Sequence, residues 1–198
     1  MEFQKLKTNV SVLNCFKGFP LTYTAEIIPR LYRCEAKHIE LNKQNLNFQE
    51  LKFFIEHGGV VSLDIHGWNN AGKTYEIKDE NDETVDLERV TQYLPNIESF
   101  KIAGVKCNKN TAHALARQKF NSKIFEFYVD YFYAGAPFDC EEFLSFCAAN
   151  RSERFALQLT FQIKFDRNFI KELQKTIYGY KNSTKKTFVN VNFNLFEL

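Results

Sequence analysis

The segment Gly67-Trp-Asn-Asn-Ala-Gly72-Lys73-Thr74 satisfies the pattern G-x-x-x-x-G-K-[ST] in full. In a phosphate loop, backbone N–H groups and the N-terminus of the next helix cradle the phosphates, while Lys and Thr serve phosphate and Mg²⁺. The segment follows an apolar-alternating run, Val60–Ile65, and Ile124–Asp130 has the form of a strand ending in an Mg²⁺-serving acid. Its surroundings argue against that chemistry. Thr74 ought to open a helix with an apolar face, yet Tyr75-Glu-Ile-Lys78 alternates and runs into Asp79-Glu-Asn-Asp-Glu83, an acidic cluster that repels phosphate. The preceding run is half polar (Ser62, Asp64, His66), unlike the buried first strand of a phosphate-loop sheet. Nucleotide binding through Gly67, Gly72, Lys73 and Thr74 is therefore the alternative reading, and a turn between a strand and a hairpin is the expectation.

Carboxylates and imidazoles offer a second chemistry. Glu40, Asp64 and Asp130, with His38 and His66, could ligate a metal or exchange protons if the fold gathered them. No H-E-x-x-H motif, nucleophile elbow or Cys–His signature accompanies them. His57 and His113 fall on helical patterns, as surface or packing residues. The expectation is a protein with no catalytic residues, no metal and no cofactor.

The elements that must position these residues repeat. Short runs at Ala36–Leu41, Val60–Ile65, Ile97–Ile102, Ile124–Val129, Ala156–Phe161 and Phe188–Phe193 place apolar groups at offsets 0, 3 and 5. Several of them extend to offsets 8 and 10, as in Ile97, Phe100, Ile102, Val105, Cys107 and in Phe188, Val191, Phe193, Phe196, Leu198. That is the cadence of a leucine-rich repeat (LRR) with Phe often replacing Leu, its starts unevenly spaced by 24, 37, 27, 32 and 32 residues. Helical patterns lie between the runs. Phe48–His57 carries Leu51, Phe54 and Ile55 on one face, with Asn47 as N-cap and Glu50 three residues on. Asp139-Cys-Glu-Glu142 opens another helix, Asp166–Tyr178 carries the stripe Phe169, Ile170, Leu173, Ile177, and Asp86–Leu94 and Asn110–Phe120 are shorter. Strand then helix, repeated, implies a parallel sheet wound in one direction.

The expected fold class is α/β: an irregular LRR-like solenoid of about six parallel strands with helices on the convex side. The long second step accommodates a hairpin insertion near residues 73–86. Thr22–Arg33, with Ile27, Ile28 and Leu31, reads as a first helix bent or restarted at Pro29. Residues 1–19 are an N-terminal segment and 20–198 the repeat domain.

In such strands the residues between the apolar ones point to the concave surface. They are His38, Glu40 and Asn42; Ser62, Asp64 and His66; Ser99 and Lys101; Glu126, Tyr128 and Asp130; Gln158, Thr160 and Gln162; and Asn190, Asn192 and Asn194. A polar, curved sheet bearing an isolated Tyr128 is a protein-recognition surface, so His38, Glu40, Asp64, His66, Lys101, Glu126, Tyr128, Asp130 and Gln158 are the candidate partner-binding residues.

Composition narrows the partners. Across 198 residues, Lys+Arg 26 against Asp+Glu 24 gives no field to attract nucleic acid or an anionic membrane. The chain is unusual for Phe 21 and Tyr 9 beside Trp 1 and Met 1, so its core is built from rings. The ring clusters Phe53-Phe54, Phe125–Tyr133 and Phe161–Phe169 are expected to pack in the core, since a base-stacking platform needs interleaved cations and Phe125–Tyr133 instead carries Glu126 and Asp130. Lys181–Lys186 is expected to be a solvated connection. No run approaches the roughly 18 apolar residues that span a bilayer. Met1–Val10 is polar and carries Lys5 and Lys7 without the apolar run of a signal peptide, so no secretory leader is expected. Five cysteines (Cys15, Cys34, Cys107, Cys140, Cys147) without a C-x-x-C pair are expected reduced and mostly buried. The triplets opened by Asn9, Asn150 and Asn182 then have no glycosylation route, and the expected compartment is cytoplasmic or nuclear.

Ile28-Pro-Arg-Leu-Tyr-Arg-Cys-Glu-Ala-Lys-His-Ile-Glu-Leu41, Tyr93-Leu-Pro-Asn-Ile-Glu98 and the aromatic strands followed by helices resemble the C-terminal region of nematode F-box proteins. That region is the F-box-associated, LRR-like domain of the FTH type, and the resemblance runs from about Pro20 to Leu198. In the family the F-box docks the adaptor of an SCF ubiquitin ligase, and the repeat region recruits the target. The resemblance thus implies ubiquitin-ligase substrate recognition by a non-catalytic module whose partner is a protein. No F-box helical motif precedes Pro20, so contact with the adaptor is expected only if an F-box lies elsewhere.

Overall fold

The structure, a computed structural model, describes residues 10–12, 14–18, 28, 31–41, 45–65, 76–132, 135–162, 165–183 and 187–193. In chain order its elements are β1 (Val10–Val12), β2 (Cys15–Gly18), β3 (Leu31–Cys34), β4 (His38–Leu41), α1 (Phe48–Ile55), β5 (Ser62–Ile65) and α2 (Leu87–Thr91). There follow β6 (Ser99–Ala103), α3 (Thr111–Arg117), β7 (Ile124–Phe132), α4 (Cys140–Asn150), β8 (Arg151–Phe161), α5 (Arg167–Ser183) and β9 (Thr187–Phe193). Seven strands form one parallel sheet in the order β2-β4-β5-β6-β7-β8-β9, and β1 pairs with β3 in a separate parallel pair.

From β4 to β9 the spatial order is the chain order, so the sheet never reverses direction. A right-handed crossover repeated in one direction leaves every helix on the same face. Burial agrees. Ile39, Leu63, Phe100, Phe127, Leu157 and Val189 pair in register across six strands and are all buried. Ile65, Ile102, Val129, Leu159 and Val191 make a second such row. Phe48, Leu51 and Phe54 of α1, Phe143 and Phe146 of α4, and Phe169, Ile170, Leu173 and Ile177 of α5 close on these rows in a single hydrophobic cluster. Rings dominate it: Phe100 stacks on Phe127 at 5.0 Å, Phe127 meets Phe146 edge-on at 5.4 Å, and Phe132 stacks on Phe161 at 4.8 Å.

Local chemistry sets the helix ends. Asn47 Oδ1 accepts from the Glu50 N–H while the Asn47 N–H donates to Glu50 Oε2, both at 2.9 Å, so the capping box of α1 is complete. Gly58 closes α1 with φ +71, a left-handed conformation that favours glycine, its N–H reaching the Ile55 carbonyl at 3.1 Å. Asp139 and Asp166 cap α4 and α5 through the N–H groups of Glu142 and Phe169 at 2.8 and 3.1 Å. The insertion is a hairpin: Lys78 and Thr84 pair antiparallel, and Asp79 Oδ1 gathers the N–H groups of Asn81 and Glu83. Arg89 fixes it to α2 through Asp79 Oδ2 at 2.8 Å. Those hydrogen bonds, the Asn81 N–H first, hold the Asp79 carboxyl below its ordinary range.

Three expectations need correction. The sheet has seven strands rather than about six, because β2, inside the segment set apart as 1–19, pairs with β4. Four residues with one inward apolar group, Phe16, are too short for an alternation to be read. Leu31–Arg33, assigned to a first helix, belongs to β3, where pairing with β1 supplies backbone partners that a three-residue apolar spacing cannot foresee; most of Thr22–Arg30 lies outside the described residues. Ala156 and Phe188, read as inward apolar positions, pair in register with Glu126 and with each other on the opposite face. The offset-0 position is inward where the chain bends into the strand, as at Ala36 and Val60. β8 and β9 are already extended there, so alternation runs on unbroken and turns both residues outward.

Candidate recognition face

The face opposite the helices is polar. Its central row crosses all seven strands as Lys17, Glu40, Asp64, Lys101, Tyr128, Gln158 and Asn190, each paired in register with the next. A second row runs Cys15, His38, Ser62, Ser99, Glu126, Ala156, Phe188. The candidate residues Glu40, Asp64, Lys101, Tyr128 and Gln158 share the first row, His38 and Glu126 the second, and Asp130 lies one step beyond, paired with Ala103. His66, Asn42 and Asn194 lie outside the described residues, as does the whole of Gly67–Thr74.

Cross-strand neighbours about 4.8 Å apart are close enough to bond. Lys17 Nζ meets Glu40 Oε2 at 2.5 Å. Glu126 Oε2 takes both the Ser99 hydroxyl at 2.7 Å and Lys101 Nζ at 3.1 Å, and that ammonium also sits 5.3 Å over the Tyr128 ring. Asp130 Oδ1 accepts from Gln158 Nε2 at 2.8 Å and from the Thr160 hydroxyl at 2.9 Å. These bonds fix side-chain positions before any partner arrives, lowering the entropy a partner must offset. Burial first, then the Glu126 carboxylate, raises the Tyr128 phenol above its ordinary value, so it stays a neutral donor at physiological pH.

The sequence reading missed an apolar feature beside this network. Phe125 is 42% exposed and Phe188 56%, and with Glu126, Arg154 and Ala156 they line an open groove of about 580 Å³ at the start of β7, β8 and β9. The signal lay in the strand starts: once β8 and β9 begin before their cadence, Ala156 and Phe188 must face outward together.

Among the described residues no three of His, Cys, Asp and Glu gather to hold a metal. Burial raises the thiols of Cys34, Cys107, Cys140 and Cys147, that of Cys140 to about 12, and Cys15 is the exposed one. His113 bridges α3 to α4 through Glu142 Oε1 at 3.0 Å, and Glu88 binds Asn108 and Thr111 at 2.8 Å, so both serve the helix layer. Residues 76–79, where a phosphate loop would continue as a helix, include Lys78 in its antiparallel bridge to Thr84. Among the described residues no helix is long and apolar enough to cross a membrane. Compared with protein-family models, curated proteins and solved structures, the chain gives no match.

Proposed function

We propose that the chain is a non-catalytic protein-recognition module, an irregular LRR-like solenoid whose open sheet face is its binding surface. The observation that carries this reading is the in-register row Lys17–Glu40–Asp64–Lys101–Tyr128–Gln158–Asn190, polar or aromatic at every strand. A merely solvated sheet face does not need its side chains held by cross-strand bonds, nor two exposed phenylalanines beside them. Strands stacked in chain order over one layer of helices suit the same reading, since stacked strand–helix repeats expose a broad sheet face to a partner. The groove between Phe125, Ala156 and Phe188 takes an apolar side chain, while Glu126, Ser152 and Arg154 supply polar contacts in its lining. Hot-spot residues seat in such pockets, ringed by polar groups that exclude water.

In its resemblance to the nematode F-box-associated domain, the module serves as the substrate-recognition region of an SCF-type ubiquitin ligase in the cytoplasm or nucleus. The test compares capture from cell lysate by the wild type and by Tyr128→Ala/Phe188→Ser, both confirmed folded by their melting curves. Proteins held by the wild type and lost by the folded variant are the expected result. Identical lists from both would assign recognition to another surface.

A further inference from the structure

Among the described residues β9 forms one edge of the seven-stranded sheet. It pairs with β8 along all seven of its residues without a bulge, and its sequence, Thr-Phe-Val-Asn-Val-Asn-Phe, holds neither charge nor proline. Charges, prolines and bulges are the devices that keep an edge strand from pairing with another chain, and β9 has none of them.

The side-chain pattern specifies which strand fits. Set a second β9 antiparallel to the first, centred on Asn190. Val189 then meets Val191 of the second copy, and Val191 meets its Val189. Both valines are buried on the helix-covered face, so the hydrophobic row continues across the two-fold axis. On the open face Asn190 meets its own counterpart and Phe188 meets the position of Asn192. The absence of charge means that the two-fold axis brings no like charges together. Gln174 Nε2 donates to the Val191 carbonyl at 2.7 Å, which marks the odd-numbered residues as those whose backbone groups turn away from β8. Val189 and Val191 then form the hydrogen-bonded pairs, and Asn190 with its counterpart the closer, non-hydrogen-bonded pair.

We propose that two copies of this chain associate through β9, antiparallel about Asn190, joining their sheets into one. This uses the edge of the sheet rather than its open face and goes beyond the recognition reading. The test is made in a Cys15→Ser background, since Cys15 is the exposed thiol and the other four cysteines are buried. Asn190→Cys is expected to cross-link on mild oxidation, because facing positions of a non-hydrogen-bonded pair lie about 4.5–5.5 Å apart. Phe188→Cys alone is expected to cross-link at least about tenfold more slowly, and Phe188→Cys/Asn192→Cys to restore the rate. Sedimentation of the wild type should show the 23.3 kDa chain doubling its mass as concentration rises towards about 100 µM. Gln174→Ala, which releases the Val191 carbonyl, should move that transition to lower concentration. A wild type that stays monomeric throughout, or equal cross-linking at positions 188 and 190, overturns the proposal. Partner capture that survives in a monomeric variant leaves the recognition reading standing apart from it.

Discussion

Phe127 and Tyr128 are neighbours in β7 and face opposite sides of the sheet, so truncating each in turn separates the core from the open face. Phe127 is 1% exposed and lies against Phe100, Phe146 and Phe143 at 5.0, 5.4 and 6.5 Å. Phe→Ala in a core costs about 3–5 kcal/mol. The rings around this site belong to both a neighbouring strand and α4, so it cannot collapse easily and the upper part of that range, about 4 kcal/mol, applies. For a domain of this size that corresponds to a melting temperature lower by about 12 °C. Tyr128 is half-buried, and its ring contact with Lys101 is worth about 0.5–1 kcal/mol, so Tyr128→Ala should lower melting by about 3 °C or less. Urea unfolding followed by circular dichroism reads both: a clear fall in midpoint at unchanged slope for Phe127→Ala, and almost none for Tyr128→Ala. Comparable losses, or a larger loss for Tyr128→Ala, would mean that β7 is displaced by one residue and its faces exchanged.

Gly135 has φ +135, and a Cβ there would lie 1.8 Å from the Cys107 carbonyl oxygen. Gly135→Ala must therefore part the Cys107–Gly135 bridge and its Ala136 N–H bond, costing about 3 kcal/mol by calorimetry. Alkylation under native conditions should label Cys15 quickly and the buried four only on unfolding. The raised thiols bind their protons more tightly in the folded chain, so their contribution to stability is complete below the ordinary value of 9.0 and is lost as pH rises from there towards about 12, as denaturation against pH would show. Asp79 has the opposite sign. Its lowered carboxyl stabilises the hairpin above the ordinary value of 3.8 and ceases to do so as pH falls below it, a dependence that Asp79→Asn should flatten in melting curves. Adding Mg²⁺ and ATP should leave the wild-type melting temperature unchanged; a rise abolished by Lys73→Ala would return Gly67–Thr74 to consideration.

Much of the sheet could be read from spacing. Where a strand is half-buried, as at Phe100/Lys101/Ile102, polar and apolar residues alternate and reveal both the strand and its open-face residue. Asn47 and Glu50 announced α1 because capping is decided within four residues. β2 and β3 were not legible because β2 carries a single inward apolar group, Phe16, and β3 draws its backbone partners from β1, so neither four-residue strand shows a local period. Of the candidate site, Lys101, Glu126 and Tyr128 could be placed on one face from parity alone. Their mutual bonds, and the Asp130–Gln158–Thr160 cluster, depend on which strands adjoin and in what register. The groove stayed hidden for a related reason. An exposed Phe188 and a buried Phe161 look alike until the point where each strand begins is known.

The most direct test of recognition by the open face is hydroxyl-radical footprinting of the chain alone and with its captured partner. Phe125, Tyr128 and Phe188 should lose reactivity on binding, while Tyr178 on α5 and His113 on α3, both exposed in the helix layer, should not. Protection of Tyr178 or His113 with Tyr128 and Phe188 unchanged would place the partner on the helices and contradict it.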